Sequence, residues 1–417
     1  MGAAQSRSAR VALYGEFGTG NLGNDASLLA AVAELRRHNP DVDILCLCSA
    51  PEQVTRRFGF AATSIRGQTS SQRSRVRGRL ARLSRRVTEL TRMFRLMRHL
   101  DLVMVPGMGV LEAGSARASS YPSEFLMTAI AARAAGTPFA LVGVGADVAH
   151  RRSTRAMLRW TLRLAAYRSF RDAHSRQCAI GFGTPSAGDS VYPDLVFGLE
   201  PPVEEIPDSS RESVGVGMIA YRATFFDDEP TRRDRFAAAY LDSMTSFVGW
   251  LLDRGLDVTL LTGDWKDEEM AESVNDRLAG RGSGVRVVRS ESLDDVIALL
   301  RRLDFLVASR YHNIVAAALT ATPVISINYL PKNGALMTDL GLAEFHQPLE
   351  ELDGERLRQQ FLELQRSAEP VATQLAGKRS EYHRRVGEQW SELRRAIPAL
   401  NPPVTTGMTI DDRTTAS

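Results

Sequence analysis

Phe305-Leu306-Val307-Ala308-Ser309-Arg310-Tyr311-His312 is an apolar run of strand character that ends in polar residues, and the small apolar segment Asn313 to Leu319 after it has helical character. A strand that hands over to a helix in this way forms the junction at which open α/β sheets place their ligands. Arg310 and His312, two residues apart at that junction, put an anion-binding cation beside a titratable group. A second run, Pro323 to Ile327, reads as the neighbouring strand, and Tyr329-Leu330-Pro331-Lys332 follows it. Lys332 is therefore expected at the same crevice.

The same alternation extends upstream. Strand-like runs at Val214 to Tyr221, Asp257 to Leu261 and Val285 to Val288 are separated by helical patterns at Arg232 to Asp253, up to Ala279, and at Leu293 to Arg302. Phe236, Tyr240, Met244, Phe247 and Leu251 fall at helical spacing and read as core. The first half repeats the pattern, with strands at Arg10 to Tyr14, Asp43 to Leu47, Leu102 to Val105 and Phe139 to Val142, and helices between them. The expected fold is α/β: two doubly wound Rossmann-like domains that face a central cleft. The expected boundaries are a flexible N-terminus at 1–9, a first domain at 10–200 with a basic helical segment at 64–99, and a Pro/Glu/Asp/Ser-rich linker at 201–212. A second domain at 213–345, C-terminal helices at 346–398 and a disordered tail at 399–417 follow.

Three glycine-bearing loops stand at strand ends in the first half. Gly15 to Asp25 holds Gly18, Gly20, Asn21, Gly23 and Asp25; Pro106 to Glu112 holds Gly107 and Gly109; Gly143 to Asp147 holds Gly143 and Gly145. Strand, glycine loop and helix together aim free backbone N–H groups at an anion. Gly18-x-Gly20-x-x-Gly23 satisfies the dinucleotide spacing, but the next strand-like run ends in Cys48-Ser49-Ala50 without a ribose-binding acid. The loop reads as a phosphate or sugar site, or as a tight turn without a ligand. Arg171 stands at a further strand terminus, and Asp172 after it is suited to cap the next helix.

Composition narrows the classes. The chain has 417 residues, 44% hydrophobic and 24% charged, with a net charge of +3 that gives no argument for nucleic acid. Three cysteines, Cys46, Cys48 and Cys178, make neither a disulfide framework nor a zinc-ligand spacing, so no metal is expected and a reducing cytoplasm fits. No apolar stretch nears the roughly 18 residues of a membrane span, and no signal-peptide hydrophobic region precedes the first strand. Arginines crowd the stretch from Arg73 to Arg98. They form either a patch for peripheral contact with an anionic membrane at its inner face, or a solvated helix face.

Taken in order, Gly20-Asn21-Leu22-Gly23-Asn24-Asp25-Ala26, Gly107-Met108-Gly109, Gly143-Val144-Gly145, Arg171-Asp172 with Ser175, Asp194, Ser309-Arg310-Tyr311-His312, and Tyr329 with Lys332 resemble the polysaccharide pyruvyl transferase family. The chain departs from the family's usual first loop, Gly-Asp-Glu-Ala, by reading Gly23-Asn24-Asp25-Ala26. The resemblance implies a GT-B-like architecture, phosphoenolpyruvate as co-substrate with no cofactor, and a glycan or lipid-linked glycan as acceptor. It implies His312 as acid/base, Arg310 and Lys332 as the donor's anion clamp and Arg171 as a third cation. Gly20, Asn21, Gly23, Asp25, Gly107, Gly109, Gly143 and Gly145 are then expected near the acceptor or the donor phosphate. The alternatives are a GT-B glycosyltransferase or sugar-nucleotide epimerase, and a non-catalytic glycan- or anion-binding protein on the same fold.

Overall fold

The structure, a computed structural model, describes residues 8–65, 79–112, 121–184, 188–200, 212–220, 230–262, 267–279, 285–328 and 330–401, with side chains left out at 79–87 and 230–233. The first unit runs β1 (Arg10–Gly15), α1 (Leu22–His38), β2 (Asp43–Cys48), α2 (Pro51–Phe58), β3 (Ala61–Ser64), α3 (Arg79–Met97), β4 (Leu102–Pro106), α4 (Tyr121–Ala135), β5 (Phe139–Val144), α5 (Arg152–Leu164), β6 (Tyr167–Phe170), α6 (Ala173–Gly181) and β7 (Ser190–Val191). Its seven strands are ordered β3-β2-β1-β4-β5-β6-β7, and every pairing is parallel. The central strands read as unbroken apolar runs because helices cover both faces; Val11 to Tyr14 and Leu102 to Val105 are fully buried.

The second unit runs β8 (Ser213–Met218), α7 (Pro230–Asp253), β9 (Asp257–Thr262), α8 (Glu268–Leu278), β10 (Val285–Arg289), α9 (Leu293–Leu300), β11 (Phe305–Ala308), α10 (Tyr311–Thr320), β12 (Val324–Asn328), α11 (Pro331–Asp339) and β13 (His346–Pro348). Its sheet is ordered β10-β9-β8-β11-β12-β13, again wholly parallel. In both sheets the order reverses beside the first strand, between β1 and β4 and between β8 and β11. A crevice opens at the carboxyl edge of such a reversal. The architecture is two doubly wound Rossmann-like units.

Helices α12 (Gly354–Arg366) and α13 (Ala368–Ala396) complete the chain. The second half of α13 returns to the first unit: Gln389 donates to Ser169 Oγ at 2.9 Å, and Glu392 accepts from Ser190 at 3.0 Å and Tyr192 at 2.5 Å. It straps the two sheets together. Among the described residues no helix is long and apolar enough to cross a membrane.

Several local expectations are corrected. His346–Pro348 is a sixth strand rather than the start of the C-terminal helices, since its pairing with β12 requires only three residues. β3 went unseen because Ala61–Ser64 is a short, half-exposed edge strand without an apolar run. α1 starts at Leu22, inside the glycine loop, because Asn21 caps it by accepting from the N–H groups of Gly23 and Asn24. The tail expected from 399 is ordered through a short 3-10 turn at Pro398–Leu400, with Leu400 buried. Tyr329, residues 1–7 of the N-terminus, 201–211 of the linker, 402–417 of the tail and Arg73, Arg75 and Arg77 of the basic segment lie outside the described residues.

Candidate active site

A cavity of about 430 Å³ lies where the carboxyl edges of the two sheets face each other. Asn21, Gly23, Gly107, Gly109, Glu112 and Arg171 line it from the first unit, and Arg310, Tyr311, His312, Asn313, Asn328 and Lys332 from the second. Three helices begin at its wall: α1 at Leu22, α10 at Tyr311 and α11 at Pro331. Each contributes the positive end of its dipole, although Asn21 already accepts from the Gly23 and Asn24 N–H groups of α1 and α11 opens on Pro331, which has none. Such convergence favours an anion, before any charged side chain is counted.

The side chains add to it. Lys332 Nζ lies 3.1 Å from Glu112 Oε2 and 3.3 Å from Oε1, and Arg171 also donates to Glu112 Oε1. Burial alone would raise the Glu112 carboxyl's pKa, but Lys332 and Arg171 outweigh it and hold the pKa at about 2. Burial pulls the Lys332 ammonium below its ordinary value, against the attraction of Glu112. Both cations also sit over the Tyr311 ring, with Arg171 Cζ at 4.9 Å and Lys332 Nζ at 5.7 Å from its centre. Gly145 makes the seat of Arg171: a β-carbon there would stand 2.4 Å from the guanidinium.

His312 meets the first unit directly. A β-carbon on Gly23 would lie 1.9 Å from its Nδ1, so only glycine lets the first turn of α1 pack against the imidazole of α10. Its Nε2 is buried without a protein hydrogen-bond partner and points to the equally unpartnered Asp194 Oδ2, 3.8 Å away. Burial, then the charges of Arg171 and Lys332, push His312 down to about 3, so the imidazole is neutral near pH 7. Burial raises the carboxyl of Asp194, with Arg171 opposing. Asp194 does cap the 3-10 turn at Leu195–Gly198 through Oδ1, which leaves Oδ2 for the histidine.

Arg310 lines the same cavity but is paired: Nε and Nη2 donate to the two oxygens of the fully buried Asp267 at 2.8 and 2.7 Å. Asp267 also accepts from the N–H of Ala220 at 2.8 Å. Arg310 is thus fixed by a fork-to-fork bond, while Glu112 joins Lys332 to Arg171 instead.

Four expected loop residues do not line the cavity. Asp25 is turned inward, where it accepts from Gly18 N–H at 2.7 Å and Arg57 at 2.9 Å; the early start of α1 places it in the first turn, facing its own loop. Arg57 continues to the carbonyl of Glu291, so Asp25 ties the glycine loop to the second unit. Gly143, at φ 62°, faces Leu195 and Gln389 in the interior. Gly145 acts behind Arg171, and Gly20, at φ 89°, turns the loop outside the lining. Glu112 and Asp267 are given no role by the sequence, and Asp194 and Tyr311 enter it only through the ordered set that carries the resemblance. Glu112 and Asp194 are visible there as acids at strand ends; their partners are 59 residues or more away in Arg171 and His312.

A second cavity of about 230 Å³ lies behind Arg171, Tyr311 and Lys332, with His174, Tyr192 and Asp194 among its walls.

The architecture is similar to that of several solved structures. UDP-GlcNAc 2-epimerase from Neisseria meningitidis bound to UDP-GlcNAc superposes with a TM-score of 0.60 at 12% identity, over 93% of this chain and 100% of that one. Anabaena Alr3699/HepE in complex with UDP and glucose gives 0.57 at 12%, over 93% and 99%. Acinetobacter baumannii MurG gives 0.56 at 14%, also over 93% and 99%. At these identities the likeness is one of fold, and the fold is GT-B-like. No curated protein sequence matches the chain. The family model for polysaccharide pyruvyl transferase matches residues 21–331, from the cap of α1 to the first residue of α11, and so spans both walls of the cavity. With three-quarters of its length matched in this way, the chain belongs to the polysaccharide pyruvyl transferase family.

Proposed function

We propose that the protein transfers the pyruvate group of phosphoenolpyruvate to two hydroxyls of a sugar in a polysaccharide or lipid-linked glycan, forming a ketal and releasing phosphate. The observation that carries this reading is the carboxylate of Glu112 held between Lys332 and Arg171 beside His312. That seat suits the carboxylate or phosphate of the donor, and the three helix N-termini add the positive ends of their dipoles.

In the reaction the donor's methylene gains a proton and becomes a methyl group, while one acceptor hydroxyl adds to the enol carbon and loses its proton. The second hydroxyl then displaces phosphate, which leaves with that hydroxyl's proton. His312, neutral in the free protein, takes a hydroxyl proton; the donor's negative charge raises its basicity once bound. Asp194 steadies the imidazolium. Lys332 and Arg171 stabilise the anionic donor, and Arg310, fixed by Asp267, lines the same cavity.

A lipid-linked acceptor requires access to a membrane surface. Of the basic stretch Arg73 to Arg98, Arg92, Arg95 and Arg98 are exposed, and on α5, which carries no acid, Arg152, Arg155 and Arg163 are exposed beside Trp160 at 54% exposure. That face suits an anionic bilayer. Sedimentation with anionic but not neutral vesicles is expected; equal sedimentation with both refutes the contact.

Thermal-shift titration separates this function from the sugar-nucleotide alternative. Phosphoenolpyruvate is expected to stabilise the protein and UDP-sugars are not; the reverse pattern overturns the proposal.

A further inference from the structure

The fold brings together three side chains that the chemistry above does not use. Asp147 stands in the loop after β5, while His174 and Cys178 lie four residues apart on α6 and so share one helix face. His174 Nε2 is 3.6 Å from Asp147 Oδ1 and 3.5 Å from Cys178 Sγ. All three ligand atoms lie within 4.8 Å of one another, and among the described residues no other His/Cys/Asp/Glu group does this.

Those separations have a specific meaning. An N–H···O hydrogen bond has its most favourable distance near 3 Å, so 3.6 Å is a poor one. A tetrahedral zinc ion bound at about 2.3 Å to sulfur and about 2.0–2.1 Å to nitrogen or oxygen requires its ligand atoms to stand about 3.3–3.5 Å apart. The imidazole nitrogen is at that distance, within a few tenths of an ångström, from both the thiol and the carboxylate. The third separation, between the carboxylate and the thiol, is within 4.8 Å, so all three atoms are close enough to share one ion after small side-chain adjustments.

We propose that Asp147, His174 and Cys178 bind one zinc-class divalent ion, with a water molecule in the fourth position. A thiol and an imidazole in the set select a borderline-soft metal over magnesium or calcium. Side-chain exposures of 35% for His174 and 36% for Asp147 leave an entry path and room for the water. Binding expels the Cys178 thiol proton to solvent, so affinity falls with falling pH.

The location gives the ion a consequence. Asp147 comes two residues after Gly145, whose missing β-carbon makes room for Arg171, and His174 lies in the first turn of the helix that follows Arg171. Ser175 already links the two segments, its Oγ accepting from Ala146 N–H at 2.9 Å. An ion at the three ligands staples the β5 loop to α6 on either side of Arg171. It acts as a brace for the wall of the cavity, and its ligands do not line that cavity.

Cobalt titration of the full-length, metal-stripped protein tests this. One equivalent of Co²⁺ is expected to produce a thiolate-to-cobalt charge-transfer absorption in the near ultraviolet, displaced by one equivalent of Zn²⁺. Cys178→Ser should abolish the band and weaken Zn²⁺ binding by about 100-fold or more, and His174→Ala should weaken it similarly. Cys46 and Cys48 are buried in β2 and give no competing thiolate. Zn²⁺ should raise the melting temperature of the parent protein and leave that of Cys178→Ser unchanged. Absence of the band in the parent protein, its persistence in Cys178→Ser, or only weak uptake at several sites overturns the proposal, whatever the stability of the variants.

Discussion

Replacing Glu112 by Gln tests the anion seat in two ways. In the free protein Glu112 neutralises two cations, Lys332 and Arg171, and its carboxyl is held at about 2 against an ordinary 4.5. That difference corresponds to about 3 kcal/mol of stabilisation near pH 7. Because the folded pKa lies below the unfolded one, the contribution is complete above pH 4.5 and disappears as pH falls toward 2. Glu112→Gln should therefore lower urea-unfolding stability by about 3 kcal/mol at pH 7, in line with breaking a buried ion pair, and the gap should close on acidification. The donor makes the opposite prediction. If phosphoenolpyruvate takes over the two cations, it must displace Glu112 in the parent protein and need not in the variant. Affinity then rises by up to about 100-fold, the same free energy expressed as binding, and the ligand-induced shift in melting temperature grows accordingly. Calorimetric titration and thermal melts of both proteins supply the comparison. A Glu112→Gln variant with parental stability and unchanged or weaker donor binding refutes the reasoning.

His312→Ala should reduce phosphate release by about 10²–10⁴-fold while donor affinity changes little, as measured by a phosphate assay beside calorimetry. In the parent protein kcat/KM should show no acid limb near 6.5, because the free imidazole is held at about 3, whereas kcat reports the higher value of the donor complex. Gly23→Ala places a methyl group within 2 Å of the imidazole and should cost about 10²-fold in kcat/KM with the circular dichroism spectrum preserved; full activity contradicts the assigned contact. Arg310→Ala strands the buried Asp267 and should cost about 3–5 kcal/mol in urea unfolding as well as donor affinity. Asp267→Asn in that background should recover much of the stability and none of the affinity.

Both sheets were legible because a parallel strand buried on two faces writes itself as a continuous apolar run, as at Leu102–Val105 and Phe305–Ala308. Short edge strands such as β3 and β13 carry no such run, and their pairing depends on neighbours far away in sequence. The cavity was partly legible for the same reason: Arg310, His312 and Lys332 are placed by strand ends, which local pattern reveals. Pairing among charges was not. Nothing near Glu112 in sequence announces Lys332, 220 residues later, and nothing near Arg310 announces Asp267. The motif Asn21 to Asp25 drew attention as a ligand loop, yet its side chains largely cap α1 and fix the turn. Gly23 matters for what it leaves room for, a property visible only once His312 stands against it. Cys178 and His174 show helical spacing in the sequence, but their third partner, Asp147, comes from a different element.

The central claim is that the cleft between the two sheets turns over phosphoenolpyruvate. Purified protein incubated with phosphoenolpyruvate and a panel of cell-surface and lipid-linked glycans, followed at once by phosphate release and by the methyl resonance of a pyruvate ketal, measures it directly. The account predicts that phosphate and ketal appear in equal amounts with at least one acceptor and that both vanish in His312→Ala. Turnover of a UDP-sugar by the same preparation, with phosphoenolpyruvate left intact across the panel, contradicts it.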